Sequence, residues 1–153
     1  MFDVMRLCGW PAEQVPQNVG RYKLDTESGS LPIFIKYEAS QYGDRFLNPG
    51  EIEWFSKNNR SLKSNEFRWL LDGTERTPEW QNRHFVPIFI RRKAEEQEKS
   101  YYFVGSAVAL DDVRASVNPG EDGSESKVVI STLKLIKPVD PELYRHLTGK
   151  SAL

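Results

Sequence analysis

The chain has little of the chemistry that disulfides and metal sites require. Its 153 residues include one cysteine, Cys8, and two histidines, His84 and His146. A single cysteine forms no internal disulfide, and one cysteine with two histidines does not make up a Cys/His zinc set. We therefore expect a reduced, cytoplasmic setting, with no metal and no cofactor.

Long apolar runs and glycine-rich phosphate loops are also missing. No stretch of about 18 apolar residues occurs, and the amino terminus lacks the basic start and apolar core of a signal peptide. Neither a GxxxxGKS/T nor a GxGxxG pattern is present, which excludes nucleotide hydrolysis by the usual loop. We expect one domain over residues 1–153, cut from a longer chain.

Positive charge is concentrated in the middle of the sequence. The formal net charge is −1, but residues 56–93 carry nine basic and four acidic groups. Residues 1–55 carry five and eight, and residues 94–153 carry seven and ten. A segment of +5 between two flanks of −3 is suited to binding an anion, although charge runs are also typical of plain solvated surface.

Hydrophobic periodicity predicts a chain built mainly of strands. Alternation of apolar and polar residues indicates strands over residues 21–24, 31–37, 51–55, 84–92, 101–110 and 127–136. The strands over 84–92 and 101–110 are expected to form an antiparallel hairpin. Polar connections are expected over residues 41–46, 74–83 and 118–126, the last of them mobile.

Three short helices are predicted beside these strands. They cover residues 2–7, 61–71 and 140–147, with Ser61 and Asp140 as N-caps and Gly149 closing the last one. Because strands follow one another without regular crossover helices, the fold class is α+β, predominantly β. The expected architecture is a curved, mostly antiparallel sheet or a partly closed barrel.

Residues 54–60, which read WFSKNNR, combine the groups that nucleic-acid recognition uses. A large ring can stack on a base, amides can read base edges, and cations can hold phosphates. Strand alternation puts Trp54 on the same face as Ile52, so Trp54 is expected to anchor the segment from inside. A strand end followed by a polar turn would produce the same letters.

The candidate nucleic-acid-binding residues are Trp54, Ser56, Lys57, Asn58, Asn59 and Arg60, supported by Tyr42, Arg45, Arg91 and Arg92. Trp80, Tyr101 and Tyr102 are further candidate rings, although a tryptophan in a polar loop more often holds the loop against the core. We expect none of these residues to be catalytic.

A metal-dependent nuclease is a third possibility. Glu125, Ser126 and Lys127, with Asp111 and Asp112 upstream, imitate an Asp plus Glu-x-Lys metal site. Glu125 lies in the loop that is expected to be mobile, which argues against the rigid placement that such a site needs. A Ser-His-Asp arrangement using Ser56 and His84 has nothing in the sequence to orient it.

Several phrases together resemble a bacterial domain of uncharacterised function that is found at the carboxyl end of superfamily II helicase and restriction-type nuclease proteins. They are LCGW at 7–10, NVGRY at 18–22, LPIFI at 31–35, YGDRF at 42–46, WFSKN at 54–58, IFIRRK at 88–93 and YYFVG at 101–105. In that family the stretch at 54–58 typically reads Trp-Gln-Ser-Gln-Asn, so Phe55 and Lys57 depart from it.

The resemblance implies a non-catalytic DNA-recognition module of a restriction or phage-defence system, which senses modified DNA. Its partners would be DNA and a helicase or nuclease, in the same polypeptide or in another. The alternative is a protein-docking module for such an enzyme. Neither a membrane nor a small-molecule substrate is expected as a partner.

Overall fold

A single curled sheet of six strands runs through the described part of the chain, which in this computed structural model comprises residues 22–37, 44–71, 80, 83–92, 101–119 and 125–150. The strands are β1 (Ile33–Tyr37), β2 (Arg45–Asn48), β3 (Glu51–Phe55), β4 (Pro87–Arg92), β5 (Tyr102–Pro119) and β6 (Glu125–Leu135). Two helices accompany them within these residues, α1 (Asn65–Leu70) and α2 (Pro141–Thr148). Neither is long and apolar enough to cross a bilayer.

The order of the strands is β1-β4-β5-β6-β3-β2. β1 pairs with β4 in parallel, and the other four neighbouring pairs are antiparallel. The sheet curls into a half-barrel, so the predicted fold class is confirmed. The helix predicted over residues 2–7 lies outside the described residues.

β5 joins the two halves of the sheet because it is long enough to serve both. Its first residues pair with β4, and the remainder, from Ala107 to Pro119, pairs with β6. Gly105 has a φ of 135°, and two register shifts follow, at 107/109 and 111/114. Bulges bend a strand and increase its twist, which accounts for the curl.

The bulges also explain why the predicted end of this strand at Leu110 was wrong. The strand continues for nine residues to Pro119. Asp112 lies in the second bulge with a φ of 49°. An extra residue reverses which side chains face inward, so the alternation appears to stop although the pairing continues.

The prediction of a polar connection over residues 41–46 was wrong at its end, because Arg45 begins the edge strand β2. Phe46 is the one buried residue of this strand, and it lies opposite Ile52 in the register. A four-residue strand with one inward side chain gives no alternation to detect. Residues 41–43 lie outside the described residues.

The core fills the concave side of the sheet. Ile33, Ile35 and Tyr37 face it from β1, as the alternation predicts, and Ile52 and Trp54 face it from β3. Trp54 has no exposed surface and packs against the rings of Tyr22 and Phe67 at centroid distances of 5.2 and 5.7 Å. The predicted inward position of Trp54 is therefore what the structure has.

Helix α2 has the predicted boundaries, whereas α1 begins later than expected. Asp140 accepts hydrogen bonds from the backbone N–H groups of Glu142 and Leu143, and Gly149 ends α2 with a φ of 73°. In α1 the N-cap residue is Ser64, not Ser61. Ser61 instead forms the preceding turn, since its carbonyl accepts from the Ser64 N–H.

His84 ties the end of α1 to Trp80. Its ring is buried, and its two nitrogens lie 2.7 and 2.8 Å from the carbonyl oxygens of Trp69 and Trp80. The ring also stacks on the Trp80 indole, whose Nε1 donates to the Leu70 carbonyl. A hydrogen bond to either carbonyl oxygen is donated by a ring N–H of His84, because carbonyl oxygens only accept.

We predict that His84→Phe lowers the free energy of unfolding by about 2 kcal/mol or more, measured by urea denaturation. An aromatic ring remains, but the hydrogen bond that a His84 ring N–H donates to the carbonyl oxygen of Trp69 or Trp80 is lost, and leaving a buried acceptor without its donor costs roughly 1–3 kcal/mol. The control is His146→Phe, an exposed histidine 3.3 Å from the Tyr102 hydroxyl, for which we expect less than about 0.5 kcal/mol. Equal losses in the two variants would show that the hydrogen bonds of His84 do not contribute to the free energy of unfolding.

Candidate nucleic-acid interface

Ser56 follows β3, and the next four residues, Lys57, Asn58, Asn59 and Arg60, form a turn that we call the 57–60 turn. It is attached to β6 at both ends. The Ser56 N–H donates to the Val129 carbonyl at 2.9 Å, and the Arg60 N–H donates to the Lys127 carbonyl at 3.2 Å. The turn is therefore held on the sheet rather than extended into solvent as a free loop.

Ser56, which precedes the 57–60 turn, has a structural role. Its side chain is buried, accepts from the Val129 N–H at 2.8 Å and donates to the Lys57 carbonyl at 2.9 Å. A buried hydroxyl with both of these bonds has no face toward solvent. Of the predicted contact residues, Ser56 and Trp54 thus lie inside the protein, where they support the segment.

Asn58 and Asn59 lie at the tip of the turn, and both are exposed. Asn59 has a φ of 63°, a left-handed conformation that asparagine tolerates better than most residues. This conformation reverses the chain direction so that Arg60 returns to β6. The two amides are the most accessible neutral hydrogen-bonding groups of the predicted segment.

Lys57 lies against Tyr22, a residue that the sequence did not single out. Its ammonium donates to the Tyr22 carbonyl at 2.8 Å and lies 4.5 Å from the centroid of the Tyr22 ring. Its backbone N–H donates to the Tyr22 hydroxyl at 3.1 Å. Lys57 is partly exposed, so its charge is fixed in position at the surface.

Arg60 is ion-paired with Glu66 on α1. The Arg60 Nε donates to Glu66 Oε2 at 3.0 Å, and the Tyr22 hydroxyl donates to the same oxygen at 2.9 Å. Burial is the largest single effect and acts to lower the pKa of Arg60, but the negative charge of Glu66 and the interactions with Tyr22 together outweigh it, so this pKa is raised. Arg60 is therefore a permanent cation, and 40% of its side chain remains exposed.

Burial is also the main reason that the pKa of the Tyr22 phenol is well above its ordinary value, and the neighbouring Glu66 charge adds to the effect. The phenol is thus neutral at physiological pH and remains a hydrogen-bond donor. Tyr22 connects the core to the turn, because its ring packs on Trp54 while its oxygen binds Lys57 and Glu66.

These contacts border a cleft of about 460 Å³ beside the 57–60 turn. It is lined by Tyr22, Lys23, Leu24, Lys57, Arg60, Ser64, Asn65 and Glu66. Three cations and one carboxylate give the lining a net positive charge. The charge count of the sequence indicated this positive region, but not that Lys23, far upstream, would join it.

Arg91 and Arg92 lie far from the turn. Their neighbour Ile90 pairs with Tyr102 at the start of β5, whereas Phe55 pairs with Ile130, which pairs with Arg114 further along β5. Tyr102 and Arg114 are twelve residues apart on β5, which is roughly 40 Å measured along the strand. Arg91 instead packs over the Tyr101 ring, 4.7 Å from its centroid.

Arg45 lies on the edge strand β2, where it is ion-paired with Glu53 at 3.3 Å. It is exposed but is engaged on the outer face of the sheet together with Arg114, which contacts the same carboxylate. Tyr42 lies outside the described residues. Of the supporting residues predicted from sequence, Arg45, Arg91 and Arg92 therefore do not lie beside the turn.

Trp80 is buried and bonded to α1, so it is a core residue and not a platform for a base. Residues missed by sequence analysis are Tyr22, Lys23, Ser64, Asn65 and Glu66. The signal for Tyr22 was present, since it ends the NVGRY phrase of the resemblance. Glu66 had a weaker signal, as a carboxylate in the first turn of a helix next to Phe67.

The carboxylates of the proposed metal nuclease site are far apart. Glu125 pairs with Pro119 and Asp111 pairs with Thr132, which places them seven residues apart along β6, roughly 23 Å. Asp111 lies 3.6 Å from Lys134 instead. Within the described ranges, no three His, Cys, Asp or Glu side chains come together as metal ligands.

Comparison with known proteins identifies the family of this chain. No curated protein matches it. Among solved structures, a DNA modification-dependent restriction endonuclease, AspBHI, is similar with a TM-score of 0.49 and 18% sequence identity. The match covers 88% of this chain and 38% of that one, so the chain spans less than half of that protein. A model of the family described as a domain of unknown function, DUF3427, matches residues 1–147, and the chain belongs to this family.

Proposed function

We propose that this chain is a non-catalytic DNA-recognition module of a restriction or phage-defence system, and that the 57–60 turn contacts the DNA. The observation that carries the proposal is the exposed pair Asn58 and Asn59, held between Lys57 and Arg60 on a turn that is bonded to β6 at both ends. Amides read base edges and cations hold phosphates, and a fixed turn presents both without a large ordering cost.

The family resemblance supports the wider setting. The domain that the sequence phrases resemble is found with helicases and restriction-type nucleases, and we propose that such an enzyme supplies the chemistry in the same polypeptide or as a partner. In such a system the module directs the enzyme to DNA of a particular kind, including modified DNA. A shift assay with duplex and single-stranded DNA, each plain and modified, tests the proposal directly.

A docking module for a helicase or nuclease is the second candidate. Phe103 and Ile136 are 57% and 53% exposed and line a separate groove of about 350 Å³. Exposed apolar side chains around a groove are typical of protein contacts. If none of the DNAs binds with salt-sensitive affinity, the docking function is favoured over DNA recognition.

We predict that Lys57→Ala combined with Arg60→Ala weakens DNA binding and flattens its dependence on salt. Each lost phosphate contact reduces the slope of log K against log salt by about 0.7–0.9, so the double variant should lose roughly 1.4–1.8. Fluorescence anisotropy over a salt series measures this slope, and thermal unfolding of each variant checks that the cleft is still folded.

The matched control for this charge removal is Lys137→Ala with Arg145→Ala, which removes one exposed cation before α2 and one on α2 and changes the net charge by the same amount. We expect their slope to match that of the unchanged protein. If both double variants flatten the slope of log K against log salt equally, only the total charge of the protein determines the salt dependence. If Lys57→Ala with Arg60→Ala leaves this slope unchanged, the turn does not contact the DNA.

We further predict that Asn58→Ala combined with Asn59→Gly weakens binding about tenfold or more while the salt slope stays the same. Amides contact base edges and release no counterions, and one good bidentate contact contributes roughly 1–3 kcal/mol. Glycine at position 59 keeps the left-handed backbone. Asn48→Ala, which removes an exposed amide at the end of β2, is the control, and an equal loss there would contradict the assignment.

A further inference from the structure

The carboxylate of Glu66 is fixed in an unusual way at the bottom of the cleft. Tyr22 and Arg60 both donate to its Oε2, and no described residue donates to Oε1. Its side chain is only 9% exposed, yet it lines the cleft. One carboxylate oxygen is thus held in place by two donors while the other retains its capacity to accept.

The polarity of the cleft changes from its rim to its floor. Lys23 is exposed, and Lys57 and Arg60 are partly exposed, whereas Tyr22 and Glu66 are buried. A ligand that enters therefore meets cations first and a hydrogen-bond acceptor last. A ligand therefore binds best if the part at the rim is anionic and the part at the floor carries a hydrogen-bond donor.

The size of the cleft exceeds what a phosphate group needs. About 460 Å³ lies within the range of pockets that hold small organic molecules. A nucleotide matches both the size and the order of polarity, with its phosphate at the cationic rim and the edge of its base at Glu66. Carboxylates accept hydrogen bonds from the amino group of cytosine and are repelled by the carbonyl oxygen that uracil and thymine have at that position.

We propose that this cleft binds one unpaired nucleotide of the DNA strand, and that Glu66 selects a base with an exocyclic amino group, cytosine in particular. This inference rests on the proposed function, because it assigns a ligand to the cleft beside the 57–60 turn. Glu66 is then the specificity-determining residue, and Tyr22 and Arg60 are positioning residues that hold its carboxylate.

The test compares oligo-dC with oligo-dU, two single-stranded DNAs of equal length and charge that differ in the amino or carbonyl group at the edge of the pyrimidine. At slightly alkaline pH and fixed salt, we expect the unchanged protein to bind oligo-dC about tenfold more tightly in fluorescence anisotropy. Because this comparison needs no substitution, it stands even if a variant of Glu66 fails to fold.

The variant Glu66→Gln keeps the shape of the side chain and an acceptor for Tyr22, but it adds an amide N–H that can donate to a carbonyl oxygen of the base. We expect the preference for oligo-dC to fall to twofold or less. Glu53→Gln removes the same charge from a carboxylate paired with Arg45 and Arg114, outside the cleft, and should keep the tenfold preference.

Equal affinity of the unchanged protein for oligo-dC and oligo-dU would overturn the inference and leave the proposed function intact. The same holds if Glu66→Gln folds and keeps the full preference. If neither oligonucleotide nor duplex DNA binds, the proposed function itself fails, so the two failures are distinguishable.

Discussion

The hydroxyl of Tyr22 joins the hydrophobic core to the polar surface, and the candidate site depends on it. The ring packs edge-on against the buried Trp54, which fixes its position relative to β3. The oxygen donates to Glu66 and accepts from the backbone N–H of Lys57. Strand β3, helix α1 and the 57–60 turn therefore meet at one buried phenol, so the geometry of the cleft is set by core packing.

The direction of the strands limits where a binding face can form. β3 runs antiparallel to β6, and β4 runs antiparallel to β5, so the residues after β3 and the arginines at the end of β4 lie at different ends of the sheet. Charge that is continuous in sequence, from residue 56 to residue 93, is thereby divided in space. The positive lining of the cleft comes instead from Lys23, Lys57 and Arg60, which long-range contacts bring together.

The features that sequence patterns predicted correctly are those determined by residues close together in the chain. Asp140, Pro141 and Gly149 lie within one short segment, and α2 has the predicted limits. Alternation along β3 was enough to place Trp54 inside. The bond between Tyr22 and Glu66 spans 44 positions, and no periodicity in the sequence indicates such a contact. The cleft was missed for this reason, and the end of β5 was missed because its bulges interrupt the alternation.

The departures from the family pattern at positions 55 and 57 have a structural explanation. Phe55 faces away from the core and packs with Val128 and Ile130 in a second apolar cluster, so an apolar residue suits that position in this chain. Lys57, in contrast, lies over the ring of Tyr22, which belongs to the main core. A glutamine at position 57 would have no charge to place there. Asn58 and Asn59 are exposed at the tip of the turn, and position 57 provides a fixed cation beside the cleft.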